Sequence, residues 1–200
     1  MLAGALTCAL PLHAQEATEA EQLSNLRVYQ ALAGEIGDSV FAIVAIPDTA
    51  AVAIHVEPEG SSWYIEEGIA AAARRIGRTV AEVPRASYEG RFGVTLAGVE
   101  YFDIRRDGLF GSRIVDRSVT LILNVRVVDL TTGNVMLRQE RQATYRDVLM
   151  LDDVTRVEHA NLPETHGELP AEGFFSSAVE PVLVVAAVAL AVFLLFTVRS

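Results

Sequence analysis

VTLILNVRVVDLTTGNVMLRQERQATY, residues 119–145, is the stretch whose reading decides the fold. Val119 to Leu130 carries alternating apolar residues, as a strand does that buries one face. Thr131-Thr132-Gly133-Asn134 is a tight-turn signal, and Val135 to Tyr145 takes up the strand pattern again. The two runs predict a long antiparallel hairpin, with Asp129 and Gly133 serving its turn.

Working back toward the N-terminus, Val94 to Asp103 is β-rich and extends the same meander. Arg78 to Val83 and Ala51 to Glu57 read as strands, the latter placing Val52, Ile54 and Val56 on one face. Trp63 to Gly77 reads as a helix. Glu66 and Glu67 occupy its first turn and Arg74 and Arg75 its last, as the macrodipole favours, and Gly77 suits its C-terminal cap. Ala17 to Gly37 is an amphipathic helix carrying Leu23, Leu26, Leu32 and Ile36. Ser39 to Ile46 is either a strand or a continuation of that helix before Pro47 breaks it. The fold class expected is an α/β sandwich, with helices on a mixed, largely antiparallel sheet, plus one C-terminal transmembrane helix.

The two ends carry the topology expectations. Residues 1–14 are apolar and uncharged and end in Leu12-His13-Ala14, which matches a secretory signal peptide that lacks its basic leading segment. Cys8 is the single cysteine, so an intrachain disulfide is ruled out. Residues 179–198 hold an apolar run after Pro181 and predict a membrane-spanning helix. Arg199 follows the run, and Phe174 and Phe175 precede it as an interfacial aromatic pair. This division gives a domain over 15–148, an acidic Pro/Gly linker over 149–178, and a single-pass type I protein in the inner membrane with its bulk periplasmic.

With 26 acidic against 16 basic residues, every one of the latter Arg, the chain has a formal charge of −10. Such a body repels phosphate backbones, so nucleic acid is not an expected partner. No phosphate-binding loop, dinucleotide glycine pattern, nucleophile elbow or zinc-protease helix occurs. His55, His159 and His166 lack helix-face metal spacing. Asp152 and Asp153, near Asp147 and Glu158, read as a solvated acidic stretch rather than a cation site. Arg74, Arg75 and Arg78 complete a helix end. The sequence therefore predicts no enzyme, no metal and no cofactor. Trp63 and Tyr64, at a helix start, are either core or a partner-binding anchor.

Residues 125–135, followed by the second strand, resemble the hairpin of periplasmic domains related to the curli secretion lipoprotein. That group includes the lipoprotein activators of penicillin-binding proteins and flagellar outer-membrane lipoproteins. The helix from Trp63 to Gly77, with Arg78-Thr79-Val80 after it, resembles another part of those domains, and the likeness covers residues 50–148. The resemblance implies a non-enzymatic domain that binds other envelope proteins, often in rings. The expected partners are thus envelope or inner-membrane proteins, the lipid bilayer and further copies of the chain. A second reading is an accessory subunit of a large inner-membrane complex, its apolar helix packed on partner helices through Ala186, Ala187, Ala189 and Ala191.

Overall fold

The computed structural model describes residues 22–47, 49–58, 62–108, 111–170, 184–190 and 194. Element order is α1 (Asn25–Ile43), β1 (Ala51–Glu57), α2 (Trp63–Arg75), β2 (Thr79–Val80), β3 (Tyr88–Arg106), β4 (Arg113–Asp129) and β5 (Val135–Met150). Short helical turns follow at Leu151–Asp153, Val154–Val157 and Pro163–Thr165. The sheet runs in the order β2-β1-β3-β4-β5, with β1 parallel to both neighbours and the β3-β4-β5 meander antiparallel. The expected mixed, largely antiparallel sheet with helices on it is what forms.

The ambiguous stretch after Gly37 is helical as far as Ile43. Val28, Leu32, Ile36 and Val40 recur every fourth residue and are all buried, so one apolar stripe carries α1 through the ambiguous residues. Ser24 caps its start, accepting from the Arg27 amide. The two helices approach closely because Gly68 lacks a side chain: a Cβ there would collide with the Gln30 carbonyl oxygen. Beyond α2, Gly77 has φ +79, the left-handed conformation that closes a helix, and its amide donates to the Arg74 carbonyl.

The meander outgrows its sequence signal at both ends. In β3, Gly90 and Gly93 dilute the alternation, while Gly90 leaves room for the Phe92 ring, 2.9 Å from where a Cβ would sit. Alternation sorts the sheet into two faces. Phe92, Val99, Val119, Leu121, Leu123, Val125 and Val127 are buried on the helix-covered face. The other face carries mostly charged and polar residues at the intervening positions, from Asp116 to Arg126 on β4 and from Arg138 to Arg146 on β5, with Ile122, Val128, Val148 and Met150 among and beside them. At the hairpin tip, Asp129 accepts from the Thr131 amide and hydroxyl and the Thr132 amide, and Gly133 has φ +74. Those hydrogen bonds, the Thr131 hydroxyl foremost, hold the Asp129 carboxyl below its ordinary range.

One expectation is corrected. Among the described residues no helix is long and apolar enough to cross a membrane. Most of the apolar run read as a span, residues 179–183, 191–193 and 195–198, lies outside the described residues. The transmembrane helix is thus not established, and the single-pass inner-membrane localisation, with the complex-subunit reading built on it, is withdrawn. Residues 1–14 with Cys8, and Phe174, Phe175 and Arg199, lie outside the described residues. Residues 149–167, read from sequence as the start of a linker, instead end β5 and fold back on the domain, with Val154 and Val157 in the core.

Candidate partner-binding site

The Trp63-Tyr64 pair divides between the two roles the sequence leaves open. Tyr64 is 1% exposed and belongs to the core, whereas Trp63 is 50% exposed. Consecutive helical positions point about 100° apart, so one faces α1 while the other faces outward. The Trp63 ring stands at 90° to the Tyr64 ring, with centroids 5.9 Å apart, in the favourable edge-to-face arrangement. Tyr64 in turn meets Tyr29 of α1 at 5.7 Å.

Glu164, from the returning segment, fixes both tyrosines. The Tyr64 hydroxyl donates to the Glu164 carboxylate at 2.9 Å, and the Tyr29 hydroxyl donates to its backbone carbonyl at 2.9 Å. Burial first, and Glu164 second, by its charge at Tyr29 and by its hydrogen bond and then its charge at Tyr64, push both hydroxyls well above the ordinary tyrosine pKa, so they stay protonated and keep donating. The exposed indole therefore rests on a locked aromatic and polar base.

That base continues inward as a buried network. Asn25 donates to the Thr165 carbonyl at 2.6 Å and to the Tyr101 hydroxyl at 3.1 Å. Its amide oxygen accepts from Arg117, which is 0% exposed. Arg117 also makes a forked pair with Asp147, donating from Nε at 2.8 Å and from Nη2 at 2.5 Å, and donates to the Leu23 carbonyl at 2.9 Å. Its guanidinium lies 5.7 Å from the Tyr145 ring centroid. Tyr101, desolvated here, has its pKa pushed up to about 12. These partners bind α1, β4, β5 and the returning segment together; the groups are spent on one another, which is a positioning arrangement and not a reactive one.

The remaining sequence candidates sit in local pairs. Arg74 lies 3.4 Å from Glu67, and Arg75 pairs with Asp38 of α1. His166 lies 3.2 Å from Glu158, Asp153 lies 3.3 Å from Arg156, and His55 lies 3.7 Å from Glu89. Among the described residues no three His, Cys, Asp or Glu side chains come together as a metal site. Sequence reasoning missed Asn25, Arg117, Asp147 and Glu164 as a group. One signal was present: Arg117 and Asp147 occupy apolar-phase positions of their strands, between Val115 and Val119 and between Tyr145 and Leu149.

No protein-family model matches the chain, and no curated protein is similar to it. Among solved structures the chain is similar to the LpoB C-terminal domain from Salmonella enterica, at 6% identity and TM-score 0.37, over 57% of this chain and 97% of that one. A minor lipoprotein from Acinetobacter baumannii aligns at 9% identity and TM-score 0.35, over 57% and 80% respectively. A lipoprotein from Neisseria meningitidis aligns at 11% identity and TM-score 0.32, over 70% of this chain and 99% of that one. At TM-scores below 0.5 these likenesses add no argument, and the functional reading rests on the chain's own geometry.

Proposed function

We propose that this chain is a non-catalytic interaction protein, an assembly or accessory component of a bacterial envelope complex, acting in the periplasm. The carrying observation is Trp63: a large aromatic, half exposed, on a base that Tyr64, Tyr29 and Glu164 hold rigid. Aromatic anchors already fixed in their bound geometry lose little conformational freedom on association, which is why Trp and Tyr dominate the energetics of interfaces. The charge of −10 supports a protein partner over a nucleic acid.

The test is co-purification of the full chain from mild detergent, comparing wild type with Trp63→Ala. A stoichiometric envelope complex that is lost in the variant, at unchanged thermal midpoint, supports the reading. A complex that persists in the variant overturns it.

A further inference from the structure

The open face of the sheet holds a second, unrelated feature. The register puts His55 of β1 opposite Arg91 of β3, Arg91 opposite Arg126 of β4, and Arg126 opposite Arg138 of β5. Four basic side chains from four adjacent strands thus stand in one row across the face away from the helices. Arg91, Arg126 and Arg138 are all exposed. Arg91 is paired with Glu89 at 3.0 Å, but Arg126 and Arg138 have no carboxylate within ion-pair distance among the described residues. Like charges directly opposite on neighbouring strands repel, and a chain of net charge −10 has carboxylates to spare for them. Arg126 and Arg138, two adjacent arginines left uncompensated on so acidic a body, invite an anion from outside.

The surroundings decide which kind. Glu57 and Glu140 lie in the next row on one side, so the positive potential is a narrow stripe and not a broad patch. On the other side the next row holds Glu89, already spent on Arg91 and His55, then Val128 and Val135, and Val135 and Met136 are 48% and 42% exposed next to Arg138. Strand spacing puts successive arginine stems about 5 Å apart, close to the 5.4 Å pitch of an α-helix. A helix lying across the strands can present one carboxylate per turn to the row and an apolar side chain to Val135 and Met136. A flat anionic membrane would bring its charge against the acidic flank and the acidic body as well.

The geometry points to this stripe, Arg91-Arg126-Arg138 with Val135 and Met136 beside it, as a docking site for an acidic amphipathic helical segment of a partner protein. The site goes beyond the Trp63 reading and lies on the opposite face of the sheet from α2, so either can fail while the other stands. Guanidinium–carboxylate pairs fix the register of the segment, and the apolar flank rejects a purely ionic polymer.

The test is fluorescence anisotropy of the full chain, in mild detergent, with a labelled amphipathic peptide bearing Glu at one-turn spacing. A matched peptide with Gln at those positions is the comparison. The Glu peptide should bind at least about tenfold more tightly than the Gln peptide, and lose that advantage as salt is raised. Arg126→Glu with Arg138→Glu should abolish the difference, Arg126→Lys with Arg138→Lys should keep most of it, and Arg146→Glu, farther along the same strand, should leave it intact. Thermal melts of each variant verify folding. The proposal is overturned if both peptides bind alike, or if the charge reversals change nothing. It is equally overturned if anionic phosphatidylglycerol vesicles bind through the same two arginines in preference to the peptide, or if those arginines instead mediate self-association in sedimentation.

Discussion

Arg117 and Arg126 lie on one strand, β4, yet on opposite faces, and they behave as different kinds of residue. Arg117 points into the helix-covered side and is wholly buried, with Asp147, Asn25, the Leu23 carbonyl and the Tyr145 ring as its partners. Arg126 points to the open side, between Arg91 and Arg138, and is exposed. A buried guanidinium must have its donors satisfied inside the protein, because desolvation costs several kcal/mol, so it becomes cement. An exposed one keeps its hydration and its charge for something else. The strand's period of two, and nothing about arginine itself, assigns the roles.

The comparison breaks most sharply at Arg117. Arg117→Ala strands the Asp147 carboxylate and Asn25 beside a hole. It should destabilise the protein by about 3 kcal/mol, at the lower end for a broken buried pair because Asp147 remains 21% exposed, measured as the shift in urea midpoint. Arg117→Met with Asp147→Leu should recover most of that loss, since no charge is left unpaired. Also on the helix-covered side, Gly68→Val drives a side chain into the Gln30 carbonyl and should cost about 2 kcal/mol by overpacking, read from the same midpoint. On the open side Arg126→Glu should do the reverse. It removes two like-charge oppositions and should raise stability slightly, by about 0.5 kcal/mol, in thermal melts at low salt. A loss as large as that for Arg117→Ala would mean the two arginines do not differ in kind.

The smallest effect lies at the hairpin tip. Asp129 has a folded-state pKa below its ordinary value, so its turn contributes stability that is complete above about pH 4 and fades as pH falls through the lowered folded value. Asp129→Asn removes that ionisation. The gap in thermal midpoint between wild type and variant should therefore be widest near neutral pH and close in acid.

Much of the fold was legible. Val52, Ile54 and Val56 announced β1, Trp63 to Gly77 announced α2 and its cap, and the 119–145 alternation announced the hairpin, because each rests on a local period or a local turn. The full length of β3 was not, since Gly90 and Gly93 interrupt its pattern and only pairing with β1 and β4 makes the strand. The segment after Met150 was read by its Pro and Gly content as a linker, but Glu164 and Thr165 are held by tyrosines and an asparagine from far upstream. Of the candidate site, Trp63 and Tyr64 were singled out together, and burial then separated them.

The sequence by itself determined the acidic charge, the helix and strand periods, the turn at Asp129 to Gly133 and the residues available for contact. Those follow from neighbours a few positions apart. Tertiary structure alone decided which arginines meet, that the returning segment holds the base of Trp63, and that Arg117 is enclosed while Arg126 is not. Strand register and burial are set by which distant segments pair, and that choice is made by the free energy of the whole core, not by any stretch of it.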